Sequence, residues 1–283
     1  MADQANHSAG AGLIIDCHAH IIDPARFPFA GGPGYRPKSH ETGTAEAYVA
    51  LLDRHKVGHA VLVQPSGYGT DNAAMLDAVA AHPGRFKAIA MVAPEASEIS
   101  LRDLAEVGVV GVRFNLVSYR SDALNGATAE RLLARMKALG WHAQIYADDA
   151  QWPEVAAILR KAGVKVLVDH FGVREPAAGI AAPGFQAVLA LGRDGLAAVK
   201  LSSPFRVAEA RSGAHPLDPF AAALIEAYGL DACVWGSDWP FLGIASPPSY
   251  DEAIDWLARW VPDSDDRKRV LWRTPARLFG FGA

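Results

Sequence analysis

The feature of this sequence that most limits its fold is a repeated alternation of short apolar runs with longer amphipathic segments. Eight runs are rich in Val, Ile or Leu, and each ends close to a polar residue or a glycine. They are Leu13–Cys17, His59–Gln64, Phe86–Val92, Val109–Phe114, His142–Tyr146, Val164–Asp169, Ala197–Leu201 and Ala232–Gly236. Continuous apolar runs of this length are typical of strands in a parallel sheet whose two faces are both covered.

Helical periodicity fills most of the intervals between these runs. The predicted helices are Ala45–Lys56, Asn72–Ala81, Ala127–Leu139, Trp152–Ala162 and Ala221–Tyr228. Eight strands that alternate with helices in 283 residues predict a protein of the α/β class, a distorted (β/α)8 TIM barrel. A doubly wound open sheet is the alternative, although no GxGxxG motif follows the first strand. We expect one barrel domain over residues 1–283, with residues 1–12 as a flexible tail.

Composition and charge exclude several classes of protein. Hydrophobic residues make up 51% of the chain and charged residues 20%, which supports a large buried core and excludes a disordered protein. The 27 basic and 31 acidic residues give a net charge of −4, so no surface for nucleic acid or for a membrane is expected. Two cysteines and no recognisable signal peptide or spanning segment predict a cytoplasmic protein without disulfides. Homo-oligomer formation is left open.

Polar residues cluster at the carboxyl ends of the predicted strands, where TIM barrels carry their chemistry. His18 and His20 follow the first strand, and alternate residues of a strand point the same way, so both imidazoles can converge on one metal or substrate atom. His170 closes the sixth strand and Asp238 the eighth. Asp238 is a candidate general base that would take a proton from water. The structural alternatives are ordinary loop histidines and an aspartate that caps a helix or forms an ion pair.

Four segments carry a resemblance to a known family: Ile15–His20, Gly111–Asn115, Val168–Gly172 and Trp235–Pro240. With these segments the chain resembles the amidohydrolase superfamily, in its amidohydrolase-2 branch of small lactone hydrolases. It is most similar to the 2-pyrone-4,6-dicarboxylate lactonases of aromatic catabolism. The resemblance implies a distorted (β/α)8 barrel and a hydrolase that opens the ring of a small carboxylated lactone.

The resemblance also implies roles for individual residues. Asp238 would activate water, and His18, His20 and His170 would stabilise the oxyanion. Substrate binding is expected from a wider set, namely Arg113, Arg206, Tyr146, Ser66, Tyr68, Asn115, Arg120 and Arg174. Arg113 and Arg206 match the family's arginine positions, whereas Arg120 and Arg174 are each displaced by one residue. The substrate's ring and carboxylates can therefore differ from those of the pyrone dicarboxylate.

The sequence is compatible with either no metal ion or one metal ion in the site. Two-metal members of the superfamily place a lysine after strand four and a histidine after strand five, whereas this chain has Arg113 and Gln144 there, which argues against a binuclear centre. We expect that no cofactor is required. The alternative is a single zinc ion on three ligands, namely His18, His20 and Asp238. A zinc-dependent decarboxylase, a lactone isomerase and a non-catalytic protein that binds a lactone or sugar acid are the alternative functions.

Overall fold

A parallel sheet of eight strands forms the centre of the protein. The computed structural model describes residues 14–29, 35–39, 41–207 and 215–282. Its strands are β1 Ile15–Ala19, β2 His59–Val63, β3 Phe86–Ala90, β4 Val109–Asn115, β5 His142–Tyr146, β6 Lys165–Val168, β7 Ala197–Lys200 and β8 Cys233–Val234. Neighbours in the chain are neighbours in the sheet, in the order β1 to β8. The eight predicted strands are confirmed within a few residues; Leu13 and the predicted tail lie outside the described residues.

Helices cover the outer face of this sheet. They are α1 Ala45–Arg54, α2 Ala73–Ala81, α3 Glu98–Glu106, α4 Gly126–Ala138, α5 Trp152–Ala162, α6 Pro183–Arg193, α7 Asp218–Tyr228, α8 Tyr250–Trp260, α9 Ser264–Lys268 and α10 Thr274–Phe279. A π-helical turn, Arg269–Arg273, joins the last two. Across the described ranges, no helix has both the length and the apolarity that crossing a bilayer would require.

Five of these helices, α3, α6, α8, α9 and α10, are not among the five predicted ones, and two of the five, α3 and α6, have a local reason. Helix α3 buries Leu101 alone, so its apolar stripe is too narrow to show as a helical period. Helix α6 begins with Pro183 and contains two glycines, which are poor helix formers on propensity alone. Packing of its face around Phe185 and Val188 outweighs that propensity.

The sheet closes on itself through backbone hydrogen bonds between β1 and the segment that follows β8. The Cys17 amide donates to the Trp235 carbonyl at 3.0 Å, and the Asp238 amide donates to the His18 carbonyl at 2.7 Å. The His20 amide donates to the Trp239 carbonyl at 2.8 Å. The (β/α)8 barrel is therefore confirmed, and the open-sheet alternative is wrong.

The close approach between β1 and the segment that follows β8 depends on a glycine. A Cβ atom on Gly236 would lie 2.7 Å from both the backbone nitrogen and the Cβ of His18. Next to it, the Asp16 carboxylate accepts hydrogen bonds from the Ser237 amide at 2.8 Å and from the Ser237 hydroxyl at 2.6 Å. It also accepts from the hydroxyls of Tyr48 in α1 and Tyr250 in α8. Asp16 thus fixes the first strand to the segment that follows the last one.

The core has two parts, because alternate strand residues face opposite sides of the sheet. The larger part lies between the strands and the helices and includes Ala60 and Leu62 of β2. The smaller part contains Val61 and Val63 of the same strand, together with Phe279 from the carboxyl-terminal region. This second cluster fills the barrel interior, so polar strand-end residues line a cavity above a packed floor.

Candidate active site

A small cavity opens at the carboxyl ends of the strands. Its volume is about 250 Å³. Residues at or after the carboxyl ends of seven of the eight strands, all but β3, line it, as does Tyr35 of the loop between β1 and α1. The lining residues are His20, Tyr35, Pro65, Ser66, Gly67, Arg113, Asn115, Ser118, Tyr146, His170, Arg206, Asp238, Leu242 and Gly243. A cavity below the usual range of about 300–1,000 Å³ for drug-sized ligands suits a small single-ring molecule.

His18 and His20 both face the carboxylate of Asp238. The Nε2 atoms of the two imidazoles lie 3.7 and 3.5 Å from Asp238 Oδ1. The register between β1 and β2 shifts between Asp16 and Ala19, an irregularity of the kind that redirects side chains next to active sites. The convergence predicted from the His-x-His spacing is therefore present in the structure.

Each histidine of the cluster is held by a second contact. His20 Nδ1 lies 2.7 Å from the Val63 carbonyl and must carry the proton, which leaves Nε2 of the neutral ring as an acceptor. His170 Nδ1 lies 2.9 Å from the Ser202 hydroxyl, and its Nε2 lies 3.9 Å from Asp238 Oδ2. Burial lowers the pKa of His18, His20 and His170, that of His170 to about 4, so all three rings are neutral near pH 7.

Asp238 remains ionised although it is fully buried. Burial alone would raise its pKa, but the Arg206 guanidinium and the neighbouring histidines outweigh burial and hold the pKa well below its usual range. Arg206 Nε donates to Asp238 Oδ2, and the Ser203 hydroxyl donates to the same oxygen at 3.0 Å. Oδ1 has no hydrogen-bond partner among the described residues, so it is the oxygen left for a water molecule or a ligand.

A second buried cluster lies beneath His18. Lys200 Nζ is 3.1 Å from His18 Nδ1 and 3.1 Å from Asp169 Oδ1, and Lys200 and Asp169 are almost completely buried. The amide of Gln144 donates to Asp169 Oδ2 at 3.0 Å. Asp169 Oδ1 lies 3.3 Å from the same His18 Nδ1, but the contact of Nδ1 with the Lys200 ammonium is shorter. An ammonium that donates to Nδ1 favours the tautomer with the proton on Nε2, on the side that faces Asp238. Lys200 is the last residue of β7, and sequence reasoning gave it no role.

Three residues around the cavity have a backbone conformation that is rare outside glycine. His170, Ser203 and Asp238 have φ angles of 46°, 56° and 64°. Left-handed conformations of non-glycine residues cost about 1–3 kcal/mol each and concentrate at functional sites. The packing of the barrel therefore holds these three side chains in place at the expense of local strain.

The structure brings most of the predicted substrate-binding residues together. Arg113, Arg206, Tyr146, Ser66 and Asn115 line the cavity.

Three predicted residues lie outside the lining. The Tyr68 hydroxyl accepts from the Asp23 amide. Arg174 lies over the outer face of the Tyr146 ring, with 5.6 Å between the guanidinium carbon and the ring centre. Arg120 is an exposed residue beside Asp122. The sequence reasoning missed Tyr35, which also lines the cavity.

The donor atoms around Asp238 fit one metal ion by spacing and burial. His18 Nε2, His20 Nε2 and Asp238 Oδ1 all lie within 4.8 Å of one another. Ligands of a tetrahedral zinc ion, at bond lengths of about 2.0–2.1 Å, lie about 3.3–3.4 Å apart, close to the distances found here. A second group of three, His18, Asp169 and His170, satisfies the same spacing, but the Lys200 ammonium already contacts two of its members.

Comparison with known proteins agrees with this architecture. A family model described as Amidohydrolase matches residues 15–281. The chain belongs to the amidohydrolase family. This amidohydrolase is 32% identical over 270 residues to 4-sulfomuconolactone hydrolase from Rhizobium radiobacter, covering 94% of this chain and 89% of the relative. It is 29% identical over 276 residues to a 2-pyrone-4,6-dicarboxylate hydrolase from Comamonas testosteroni, covering 94% and 89%.

Solved structures extend the comparison. An Acinetobacter baumannii protein described as a probable 2-pyrone-4,6-dicarboxylic acid hydrolase, with citric acid bound, superposes on this amidohydrolase with a TM-score of 0.86 at 31% identity, covering 95% of this chain and 100% of that one. A zinc-bound amidohydrolase from Burkholderia multivorans shares the fold with a TM-score of 0.75 at 21% identity, covering 96% and 100%. Some proteins of this fold therefore bind a metal, and this chain has a group of residues that could do so.

Proposed function

We propose that this protein is a hydrolase that opens the ring of a small carboxylated lactone. The observation that carries the proposal is the convergence of three neutral imidazoles on the ionised Asp238 at the wall of a small cavity. The names of relatives about 30% identical to this chain, which are lactone hydrolases, support the same reaction class. The residue roles that follow are part of the proposal.

The chemical step begins with a water molecule beside Asp238 Oδ1. The carboxylate takes a proton from the water, whose oxygen attacks the lactone carbonyl to form a tetrahedral oxyanion. His18, which carries its proton on Nε2, donates to the developing oxyanion, and neighbouring His20 and His170 complete its polar surroundings. Stabilisation of this kind is commonly the largest single contribution to the rate. Asp238 then returns its proton to the ring oxygen that leaves, and the product is a hydroxy acid.

We further propose that the reaction needs no metal ion. Lys200 and Arg206 already supply positive charge next to His18 and Asp238. The alternative is one zinc ion on His18, His20 and Asp238, which would polarise the carbonyl and acidify a bound water. Activity assays before and after extensive chelation, with elemental analysis of the same samples, distinguish the two. Loss of activity that returns with added zinc would favour the alternative.

The function itself is tested with purified protein, a panel of carboxylated lactones and the variant Asp238→Asn. We expect ring opening by the wild-type protein and a rate at least about 100-fold lower in the variant, because the amide cannot accept the proton of water. Asp194→Asn, at an exposed ion pair on the outer helices, is the matched control and should retain activity. Product analysis separates ring opening from carbon dioxide release and from lactone migration, the marks of a decarboxylase and an isomerase. Full turnover in Asp238→Asn would remove Asp238 as the base.

A further inference from the structure

The arginines near the cavity differ in how far their charge is already neutralised. Arg120 pairs with Asp122 at 3.2 Å on the surface, and its side chain is 43% exposed. Arg174 donates to Asp148 and lies over the Tyr146 ring, and it is not among the residues that line the cavity. These two guanidinium groups are each matched by a carboxylate of the protein, outside the lining.

Arg206 lines the cavity, but it is also matched. Its Nε donates to Asp238, and its Nη1 donates to the Leu242 carbonyl at 3.0 Å. A substrate carboxylate drawn to Arg206 would lie against the ionised Asp238 and would compete for the same cation. Arg206 is therefore better suited to position the base than to bind an anion.

Arg113 is the arginine of this group that keeps unused hydrogen-bond donors at the cavity wall, and its ion-pair partner Asp169 is shared with Lys200. Its side chain is 93% buried, and its one hydrogen bond among the described residues runs from Nη1 to the Gln64 carbonyl at 3.0 Å. The Nε atom has no hydrogen-bond partner, and Asp169 Oδ2 lies 3.7 Å away, beyond hydrogen-bond distance. A buried guanidinium with unused donors is a strong site for one carboxylate.

The position of Arg113 fixes how a substrate would lie. Arg113 is in β4, which is diametrically opposite β8 in a ring of eight strands numbered in order. A ring whose carboxylate binds Arg113 would therefore present its far side to Asp238. The other polar residues near the β4 side of the cavity, Ser66, Asn115 and Ser118, are neutral, so they suit hydroxyl or carbonyl oxygens.

We propose that the substrate carries one carboxylate, held by Arg113, and that a dicarboxylated ring is a poor ligand. This inference rests on the proposed function and narrows its substrate class. A second carboxylate in a cavity of about 250 Å³ would be buried without a free cation to pair with it, which is costly. The protein would thus differ from relatives whose names specify a dicarboxylate.

Binding of unreactive analogues tests the inference independently of catalysis. Calorimetric titration compares benzoate, with one carboxylate, and isophthalate, which has two on the same ring. We expect benzoate to bind at least about tenfold more tightly than isophthalate. Arg113→Gln should weaken benzoate binding by about 30-fold, the value of a charge-assisted hydrogen-bond pair, and Arg113→Lys should weaken it less. Arg160→Gln, on the outer helices, is the control for loss of an arginine.

Kinetics with 2-pyrone monocarboxylates and 2-pyrone-4,6-dicarboxylate complete the experiment, with circular dichroism to verify the fold of each variant. If benzoate binding depends on Arg113 but no lactone is hydrolysed, the proposed function is refuted and the carboxylate site at Arg113 still stands. Tighter binding of isophthalate, or loss of isophthalate binding in Arg174→Gln, would overturn the single-carboxylate inference even if lactones are hydrolysed. Failure of both analogues to bind would also overturn it. Faster hydrolysis of the monocarboxylates than of the dicarboxylate, partly retained in Arg113→Lys, would support the single-carboxylate inference.

Discussion

Replacement of Lys200 by methionine measures how much the ion pair beneath the cavity contributes to stability. The Lys200 side chain is fully buried, and its Nζ lies 3.1 Å from Asp169 Oδ1. Methionine keeps most of the length and apolar volume of the side chain and removes the charge. Burial lowers the pKa of Lys200, and the charge of Asp169 opposes that effect.

The distance sets the expected magnitude. Two unit charges 3.1 Å apart attract by about 5 kcal/mol at an effective dielectric constant of about 20. Loss of one partner of a buried pair typically costs about 3–5 kcal/mol, because the other charge is left uncompensated. Asp169 keeps the Gln144 hydrogen bond at 3.0 Å and has Arg113 Nε at 3.7 Å. We therefore expect Lys200→Met to lower the free energy of unfolding by about 3 kcal/mol, the lower end of that range.

A double-mutant cycle with Asp169→Asn isolates the interaction. Urea unfolding followed by circular dichroism gives the free energy of unfolding of the wild-type protein, both single variants and the double variant. Because the double variant leaves no uncompensated charge, it should be less destabilised than the sum of the single variants by at least about 2 kcal/mol. Additive losses within about 0.5 kcal/mol would refute an ion pair that contributes through its charge.

Three further predictions concern the barrel framework. Gly236→Ala places a Cβ atom 2.7 Å from the backbone nitrogen of His18, so we expect a lower melting temperature and reduced kcat as β1 moves from Asp238; an unchanged kcat would contradict this. Tyr48→Phe removes one hydrogen bond to Asp16 and should cost about 1–3 kcal/mol in urea unfolding, whereas no loss would show that the bond is not formed. Burial lowers the pKa of His142 to about 4, so its contribution to stability is complete above about pH 6.5 and is lost as the pH falls towards 4. His142→Gln should make the free energy of unfolding less dependent on pH between 7.5 and 4.5, and a dependence as steep as in the wild-type protein would disprove the assignment.

The sequence predicted the strands well because a covered parallel strand leaves a strong local signal. In the predicted run His59–Gln64, the residues from Ala60 to Val63 are all apolar, and the structure has β2 at His59–Val63. The same argument identified the strand-end residues that meet at the cavity, since parallel strands end at one rim of a barrel. His18, His20, His170 and Asp238 follow from that rule without any knowledge of side-chain contacts.

Other parts of the site depend on contacts that no local pattern encodes. The left-handed backbone of Ser203 and Asp238 reflects packing of the loops after β7 and β8, not the preference of either residue. Whether an arginine is free depends on which carboxylate reaches it, and Arg206 and Arg113 are alike in sequence terms. Tyr35 lines the cavity because the Glu41 carboxylate accepts from both the Tyr35 hydroxyl and the Gly243 amide, a link between distant segments.

The contact between Asp16 and Ser237 joins residues that are 221 positions apart in the chain. A nascent polypeptide leaving the ribosome therefore carries His18 and His20 long before the segment that aligns them has been synthesised. Until Ser237 and Asp238 emerge, the first strand lacks the partners that close the ring. Truncation just before Ser237 leaves a chain that contains all eight strands but lacks the contacts that align His18 and His20 with Asp238.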